Sequence, residues 1–231
     1  MQTPGSPESK ALIDLNGRRM IDWVMGAVAS VRELGDVHVS GLGEGDCPRG
    51  ARPAKTGVGP ASAIVANQSL GAPLLVTTCD HPLLTGEIIR DFLKRAAETD
   101  ADLVVGFATR STIEKSFAGM RRTYLMLGGE GYSGCNLFLI RTPAGYDAIR
   151  FWSALEAHRK SPAKLAFMIG PGLILRYLFR NFMTIERLMA YASRKTGVKI
   201  AAAVLPFAEA AVDVDKPADL DFARQIILSR A

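Results

Sequence analysis

The sequence has few cysteines: Cys47, Cys79 and Cys135, an odd number at unrelated spacings, so a disulfide framework is not expected. This predicts a reducing compartment, and we expect the cytoplasm. A secretory signal is also missing, because the first ten residues, MQTPGSPESK, contain no apolar stretch. The longest apolar run, Leu165–Leu175, has eleven residues and is broken by glycine and proline, whereas a membrane span needs about 20. An integral membrane protein is therefore excluded, while attachment to a membrane surface stays open.

Two nucleotide-binding motifs are absent as well. No GxxxxGK[ST] segment occurs, which excludes a P-loop NTPase. The glycines of GLGEG, residues 41–45, lack the spacing of a dinucleotide-binding loop. Aromatic residues make up 7% of the chain and are not interleaved with basic residues for base stacking, so no nucleic-acid partner is expected.

What remains is an ordinary globular composition. The chain has 231 residues, of which 48% are hydrophobic and 22% charged, with a net charge of +5. No internal repeat or low-complexity linker marks a domain boundary, so we predict a single domain over residues 1–231. The small positive charge by itself suits a phosphorylated ligand, a nucleic acid or an anionic membrane surface.

In the first half of the chain, short apolar strands alternate with amphipathic helices. The periodicity predicts strands at 37–40, 73–78 and 102–108, and helices at 19–33, 60–69 and 85–98. Strands separated by helices are typical of right-handed βαβ crossovers. The uniformly apolar segment 73–78 favours a strand that is buried on both faces of the sheet. The sequence therefore predicts an α/β fold with a mostly parallel sheet and helices on both faces.

The second half is richer in helices. We expect a strand pair at 121–127 and 134–140, then helices near 143–159, 162–182 and 185–195, strands at 198–205 and 211–214, and a helix at 217–229. We interpret residues 143–197 as a basic helical insertion, because residues 141–199 hold eleven Lys or Arg and three Asp or Glu. Its segment 173–182 fits either a packed helix with snorkelling arginines or a helix that contacts an anionic membrane or a lipid-linked acceptor.

Two acidic positions are candidate metal ligands. Asp80 follows an apolar strand, where open parallel sheets bind ligands, and Mg²⁺ prefers carboxylate oxygens. A helix-capping role for Asp80 is less favoured, since Thr85 lies nearer the next helix. Asp213 and Asp215 alternate and face the same side; alone, Asp215 would be read as a helix cap, but with Asp80 it suggests a shared Mg²⁺. We expect Asp80 to be exposed, with few packing contacts.

A second alternating pair, Arg122 and Tyr124, lies on a predicted strand. Both side chains would then lie on one face. The pair would either bind an acceptor phosphate or form a solvated edge.

Five short segments resemble, in the right order, the motifs of one family. They are KALIDLNGRRMIDWV from Lys10, GPASAI from Gly59, TTCDHPLL around Asp80, YSGCNLF around Asn136 and VDVDKPADL around Asp215. Together they resemble the MobA-like NTP transferase domains, a group of molybdenum-cofactor guanylyltransferase-like nucleotidyltransferases. The resemblance covers residues 10 to about 225.

The resemblance implies a GT-A-type, Rossmann-like fold and attack by an acceptor phosphate or hydroxyl on the α-phosphorus of an NTP, with release of pyrophosphate. It makes Lys10, Asp80 and Asp215 the expected catalytic residues, with Mg²⁺ held by the two aspartates and the phosphates neutralised by Lys10. The remaining expected contacts are Gly59 and Pro60 with the base, and Gly134 and Asn136 with the ribose or acceptor. Such transfers rely mainly on positioning and charge stabilisation.

One motif of the family is missing. Its members begin with an apolar strand and a glycine-rich loop whose backbone amides hold the triphosphate. Only nine residues precede Lys10, and MQTPGSPES contains no apolar strand. Either Met1 is an internal methionine of a longer gene product, or this chain does not bind nucleotide in the usual way; the intact motifs from Lys10 onward favour the first. Without that strand, its neighbours in the sheet would lose hydrogen-bond partners.

The leading interpretation is an Mg²⁺-dependent nucleotidyltransferase that acts on a small phosphorylated acceptor. Two alternatives remain. One is a GT-A glycosyltransferase that uses a nucleotide-sugar, and the other is a non-catalytic nucleotide-binding module of the same fold, which the missing loop favours. The sequence leaves the choice of NTP open.

Overall fold

The computed structural model describes residues 9–120, 122–158 and 183–230, together with residues 161, 164, 167, 168 and 170. Its strands are β1 (Asp14–Leu15), β2 (Arg18–Arg19), β3 (Val37–Ser40), β4 (Ala51–Ala54), β5 (Leu74–Val76), β6 (Leu103–Thr109), β7 (Leu125–Leu127), β8 (Glu130–Ile140) and β9 (Ile200–Leu205). Its helices are α1 (Met20–Ala29), α2 (Pro60–Ala66), α3 (Gly86–Ala97), α4 (Arg110–Ser116), α5 (Gly145–Ala157), α6 (Ile185–Thr196) and α7 (Pro217–Ser229). The predicted helix at 162–182 lies largely outside the described residues.

A five-stranded sheet forms the centre of the fold, in the order β5-β8-β6-β9 with β7 also paired to β8. Strands β5, β6, β7 and β9 run in one direction, and β8 runs in the opposite direction between them. Four of the five strands therefore share one direction. Because β8 lies between them, β6 and β9 are the one pair of parallel strands that are hydrogen-bonded to each other among the described strands of this sheet.

Helices cover both faces of this sheet, as the sequence predicts. Successive residues of β6 point to opposite faces. Val104 belongs to a buried cluster that includes residues of α1 and α3. Leu103 packs instead with Ile64 of α2 and Ile149 of α5. The alternation in β6 thus separates two apolar layers and confirms the predicted α/β class.

Strands β3 and β4 form a separate parallel pair. Among the described residues, neither is hydrogen-bonded to the five-stranded sheet, and β5 has a hydrogen-bonded neighbour on one side only. All three residues of β5 are half-buried. Leu75 packs against one apolar layer, and Leu74 and Val76 pack against the other, so both faces of β5 are covered as predicted. Burial is incomplete because one edge of β5 has no described strand beside it.

Three other elements differ from the prediction. The periodicity predicts no element between residues 40 and 60, but β4 lies there, and its Pro53 suits a strand with a free edge. Helix α4 follows β6 directly, with the Thr109 side chain capping it. Residues 211–214 do not form a strand; a short 3-10 helix, Ala208–Ala211, leads into extended chain whose Val212 and Val214 are buried. Within the described part of the chain, no helix is both long and apolar enough to cross a membrane.

Candidate functional site

Asp80 lies in the loop that leaves the carboxyl end of β5. The Thr78 hydroxyl donates a hydrogen bond of 2.5 Å to Asp80 Oδ1. The Asp80 side chain is only 18% exposed, so the expectation of an exposed carboxylate with few contacts is wrong. The loop closes around this side chain and fixes its orientation, which the spacing of the sequence alone does not reveal.

Asp215 is brought to the same place by the chain that precedes α7. The Val214 amide donates a hydrogen bond of 2.9 Å to the Asp80 carbonyl, so the two segments lie side by side. Lys10 completes the arrangement: its Nζ is 2.9 Å from Asp80 Oδ2 and 2.7 Å from Asp215 Oδ1. The carboxylates of Asp80 and Asp215 therefore meet at the ammonium group of Lys10, although the three residues are far apart in the sequence. These are the three residues expected to be catalytic.

The charges of this cluster stabilise one another. Burial alone would lower the pKa of Lys10, but the hydrogen bonds to Asp215 and Asp80 outweigh it and the pKa is raised. Burial would raise the pKa of Asp80, but the hydrogen bonds from Thr78 and Lys10 outweigh it and lower that pKa below its ordinary 3.8. At neutral pH the site therefore holds a carboxylate and an ammonium in direct contact.

The donor set fits a divalent cation. The carboxylates of Asp80 and Asp215 already surround one positive charge, that of Lys10. Mg²⁺ is commonly held by one or two carboxylates, with phosphates and water as its other ligands. No group of three or more His, Cys, Asp or Glu side chains suited to a metal occurs among the described residues. Any Mg²⁺ here would thus take two protein carboxylates and depend on substrate for further ligands.

Asn136 lies beside the Asp80 loop, on a bulge of β8. The pairing of β8 with β6 shifts between Val105 and Phe107, where Gly106 faces the extra residues of β8. A Cβ on Gly106 would lie 3.1 Å from the Leu137 Cβ, so a glycine makes room for the bulge. Asn136 itself has a positive φ of 47°, a conformation that asparagine tolerates better than most residues.

The bulge brings Asn136 to His81, the residue after Asp80. Asn136 Nδ2 is 2.8 Å from His81 Nε2, and His81 is only 1% exposed. Burial lowers the pKa of His81, although the charges of Asp80 and Asp213 act in the opposite direction. The acceptor-side motif and the Asp80 loop are therefore joined by a direct side-chain contact.

Arg122 and Tyr124 do not form the pair on one strand face that the sequence predicts. Strand β7 begins after them, at Leu125. Arg122 forms an ion pair with Asp213, and the two side chains are 11% and 21% exposed. The buried Tyr124 hydroxyl has no hydrogen-bond partner among the described residues, while the Arg110 guanidinium lies 5.8 Å from the ring centre. Arg122 is thus held by a carboxylate, which leaves its acceptor-binding role a prediction.

We expect Arg122→Met to lower the free energy of unfolding by about 2–3 kcal/mol, because it leaves the Asp213 carboxylate half-buried without its partner. Urea denaturation followed by circular dichroism measures the change. The matched control is Arg52→Met, which breaks an ion pair with Asp36 whose side chains are 68% and 67% exposed. The control should cost less than about 1 kcal/mol. Equal losses in the two variants would contradict the prediction.

Three other residues predicted to contact substrate lie apart from the cluster of Lys10, Asp80 and Asp215; they are Gly59, Pro60 and Gly134. Gly59 and Pro60 begin α2, where the nearest polar group to a Cβ on Gly59 would be Glu156 Oε2, at 3.0 Å. Gly134 is exposed on β8, close in sequence to Asn136. No hydrogen bond between these glycines and the Lys10 cluster occurs in the described part of the chain.

Sequence reasoning missed several residues that shape the site. Thr78, which orients Asp80, could have been noticed as a hydroxyl residue two positions before the carboxylate. The sequence places Asp213 only on a shared face with Asp215, and the pairing of Asp213 with Arg122 has no sequence signal. Glu156 and the His81 contact depend on tertiary packing between separate elements.

Comparison with known families and proteins gives a consistent result. A family model described as the MobA-like NTP transferase domain matches residues 4–125. A comparison with curated proteins found no match. Among solved structures, a hypothetical transferase from Thermus thermophilus is 31% identical, with a TM-score of 0.80 over 91% of this chain and 90% of that one.

More distant structures share the fold. The 2-C-methyl-D-erythritol 4-phosphate cytidylyltransferase of Thermus thermophilus is 15% identical, with a TM-score of 0.54 over 96% of this chain and 94% of the other. Molybdopterin-guanine dinucleotide biosynthesis protein A of Archaeoglobus fulgidus is 12% identical, with a TM-score of 0.53 over 95% of this chain and 91% of the other. At these identities the similarity concerns the fold alone.

Proposed function

Because the chain belongs to the family of MobA-like NTP transferase domains, we propose that it acts as a single nucleotidyltransferase domain. It transfers a nucleoside monophosphate from an NTP to a small phosphorylated acceptor and releases pyrophosphate. The observation that carries the proposal is the convergence of Lys10, Asp80 and Asp215 at the carboxyl edge of the sheet. Ligands of open α/β sheets bind at this edge.

The reaction needs positioned charge more than covalent chemistry from the protein. An acceptor oxygen attacks the α-phosphorus, one P–O bond forms, and the bond to the bridging oxygen breaks so that pyrophosphate leaves with the electron pair. Lys10 donates to phosphate oxygens and offsets their charge. Asp80 and Asp215 would hold Mg²⁺, which when bound orients the triphosphate and neutralises developing charge. Thr78 keeps the Asp80 carboxylate in place.

The two substrates would occupy opposite sides of the Lys10 cluster. On the nucleotide side, Gly59 and Pro60 at the start of α2 would face the base. On the acceptor side, Gly134 and Asn136 on β8 would contact the acceptor, and Arg122 and Tyr124 would bind its phosphate. The three cysteines, Cys47, Cys79 and Cys135, are free, which suits a reducing cytoplasm. The basic segment 173–182, proposed to meet an anionic or lipid-linked acceptor, lies outside the described residues.

Pyrophosphate release tests this function. The chain is incubated with Mg²⁺, each of the four common NTPs and a panel of phosphorylated acceptors, and the acceptor product is identified by mass spectrometry. We expect pyrophosphate and the nucleotidylated acceptor to appear in equal amounts for one NTP. Turnover of nucleotide-sugars instead would establish a glycosyltransferase. Nucleotide binding without turnover of any substrate would overturn the proposal in favour of a binding module.

A further inference from the structure

His81 is a buried polar residue that the proposed reaction does not use. Its side chain is 1% exposed and lies next to Asp80 in the loop after β5. One ring nitrogen, Nε2, is 2.8 Å from Asn136 Nδ2 and 3.9 Å from Asp80 Oδ1. A buried imidazole without partners would be costly, so the contact with Asn136 provides the ring with its hydrogen bond.

The chemistry of the two groups fixes the direction of this hydrogen bond. An amide nitrogen donates and offers no lone pair, so Asn136 Nδ2–H must donate to His81 Nε2. Nε2 therefore carries no proton, and the ring proton lies on Nδ1. Nδ1 itself is buried and has no hydrogen-bond partner among the described residues, so the contact with Asn136 is the one hydrogen bond that the structure gives the ring there.

The same contact determines what Asn136 presents to the site. Its backbone is held at a φ of 47° on the β8 bulge, so the side chain leaves the regular alternation of the strand. With Nδ2 engaged by His81, the side-chain oxygen Oδ1 is the free polar atom of a half-buried residue, and it makes no hydrogen bond within the described residues. An amide oxygen accepts hydrogen bonds, and a substrate hydroxyl can provide one.

We propose that His81 is a positioning residue: it accepts a hydrogen bond from the Asn136 amide and thereby aims the Asn136 oxygen at a hydroxyl group of the acceptor substrate. The acceptor would then carry a hydroxyl group as well as its phosphate group, and Asn136 would bind the hydroxyl. This inference rests on the proposed function for its substrate, while the hydrogen bond itself can be tested without any activity.

The kinetic test uses His81→Phe, which keeps the ring size and removes the acceptor nitrogen. We expect the KM for the acceptor to rise about 10- to 100-fold, with the KM for the NTP unchanged, because one binding group loses its orientation. His81→Gln offers a side-chain oxygen to Asn136 and should recover most of the loss. The matched control is Tyr146→Phe, which removes a buried hydrogen bond of 2.7 Å to the Gly71 carbonyl and should leave both KM values unchanged.

A double substitution separates positioning from packing. If His81 acts through Asn136, adding His81→Phe to Asn136→Ala should raise the acceptor KM no further. Additive effects, or equal changes in both KM values, would overturn the proposal. A purely structural role would lower stability and leave the acceptor KM in place, which also overturns it.

Nitrogen-15 NMR of the imidazole tests the hydrogen bond in the unmodified protein. We expect His81 Nε2 to resonate as an unprotonated nitrogen, coupled across the hydrogen bond to the Asn136 amide. A proton on Nε2 would overturn the inference even if the chain is an active transferase. An unprotonated, coupled Nε2 in a chain that transfers no nucleotide would instead confirm the hydrogen bond and refute the proposed function.

Discussion

Asp80→Asn should lower kcat/KM for nucleotidyl transfer by about 1,000-fold or more, because it removes a charge that the proposed reaction uses to hold a divalent cation at the triphosphate. The shape of the side chain is kept, but the single amide oxygen replaces only one of the two acceptors, Oδ1 facing Thr78 and Oδ2 facing Lys10. Binding of Mn²⁺, measured by calorimetry, should be lost together with activity. Asp80→Ala should abolish turnover as well and also cost about 1–3 kcal/mol of stability, since Thr78 and Lys10 lose a hydrogen-bond acceptor.

The matched control is Asp102→Asn. Asp102 accepts hydrogen bonds from the Thr142 hydroxyl at 2.6 Å and the Lys199 amide at 3.0 Å, at the amino end of β6 and therefore at the opposite edge of the sheet. Its loss of charge should leave kcat/KM unchanged. If Asp80→Asn retains more than about a tenth of the wild-type rate, the assignment of Asp80 to the reaction is wrong.

Lys10→Met is expected to change two properties in opposite directions. Transfer activity should fall about 100-fold or more, because the cation proposed to neutralise the phosphates is lost. Mn²⁺ binding in the absence of nucleotide should become about three- to tenfold tighter, since the ammonium no longer occupies the space between the Asp80 and Asp215 carboxylates. Calorimetry measures the second effect without relying on catalysis.

Lys199→Met provides the comparison for Lys10. Lys199 also pairs with an aspartate, Asp100, but both side chains are largely exposed and lie away from the Asp80 loop. Neither activity nor Mn²⁺ binding should change in this variant. If Lys10→Met binds Mn²⁺ more weakly than the wild type, Lys10 is not a competitor for the cation position.

Much of this arrangement can be predicted from local sequence. The apolar segment before Asp80 and the alternation of Val212 and Val214 with Asp213 and Asp215 are short-range patterns, and both place a carboxylate at the end of an extended segment. The start of α7 at Pro217 and the capping of α3 by Thr85 follow from equally local preferences. The resemblance to a family then indicates that the two carboxylates meet.

The rest depends on contacts that no local pattern contains. Strand β8 reads as an ordinary apolar strand, and its reversed position between β5 and β6 follows only from tertiary pairing. The bulge at Asn136 requires Gly106 on the neighbouring strand, and the burial of Arg122 requires Asp213, which is distant in the chain. Charge and size are visible in the sequence, but the partner of each side chain is not.

The contacts of Lys10 also determine when the site can form during synthesis. Its partners, Asp80 and Asp215, follow it by 70 and 205 residues. Contacts of such long range form late, because a large loop of chain must close first. On the ribosome, Lys10, Asp80 and the strands up to β8 emerge first, and the cluster is complete only once Asp215 has also left the exit tunnel. A nascent chain would therefore form most of its central sheet before it holds the complete cluster of Lys10, Asp80 and Asp215.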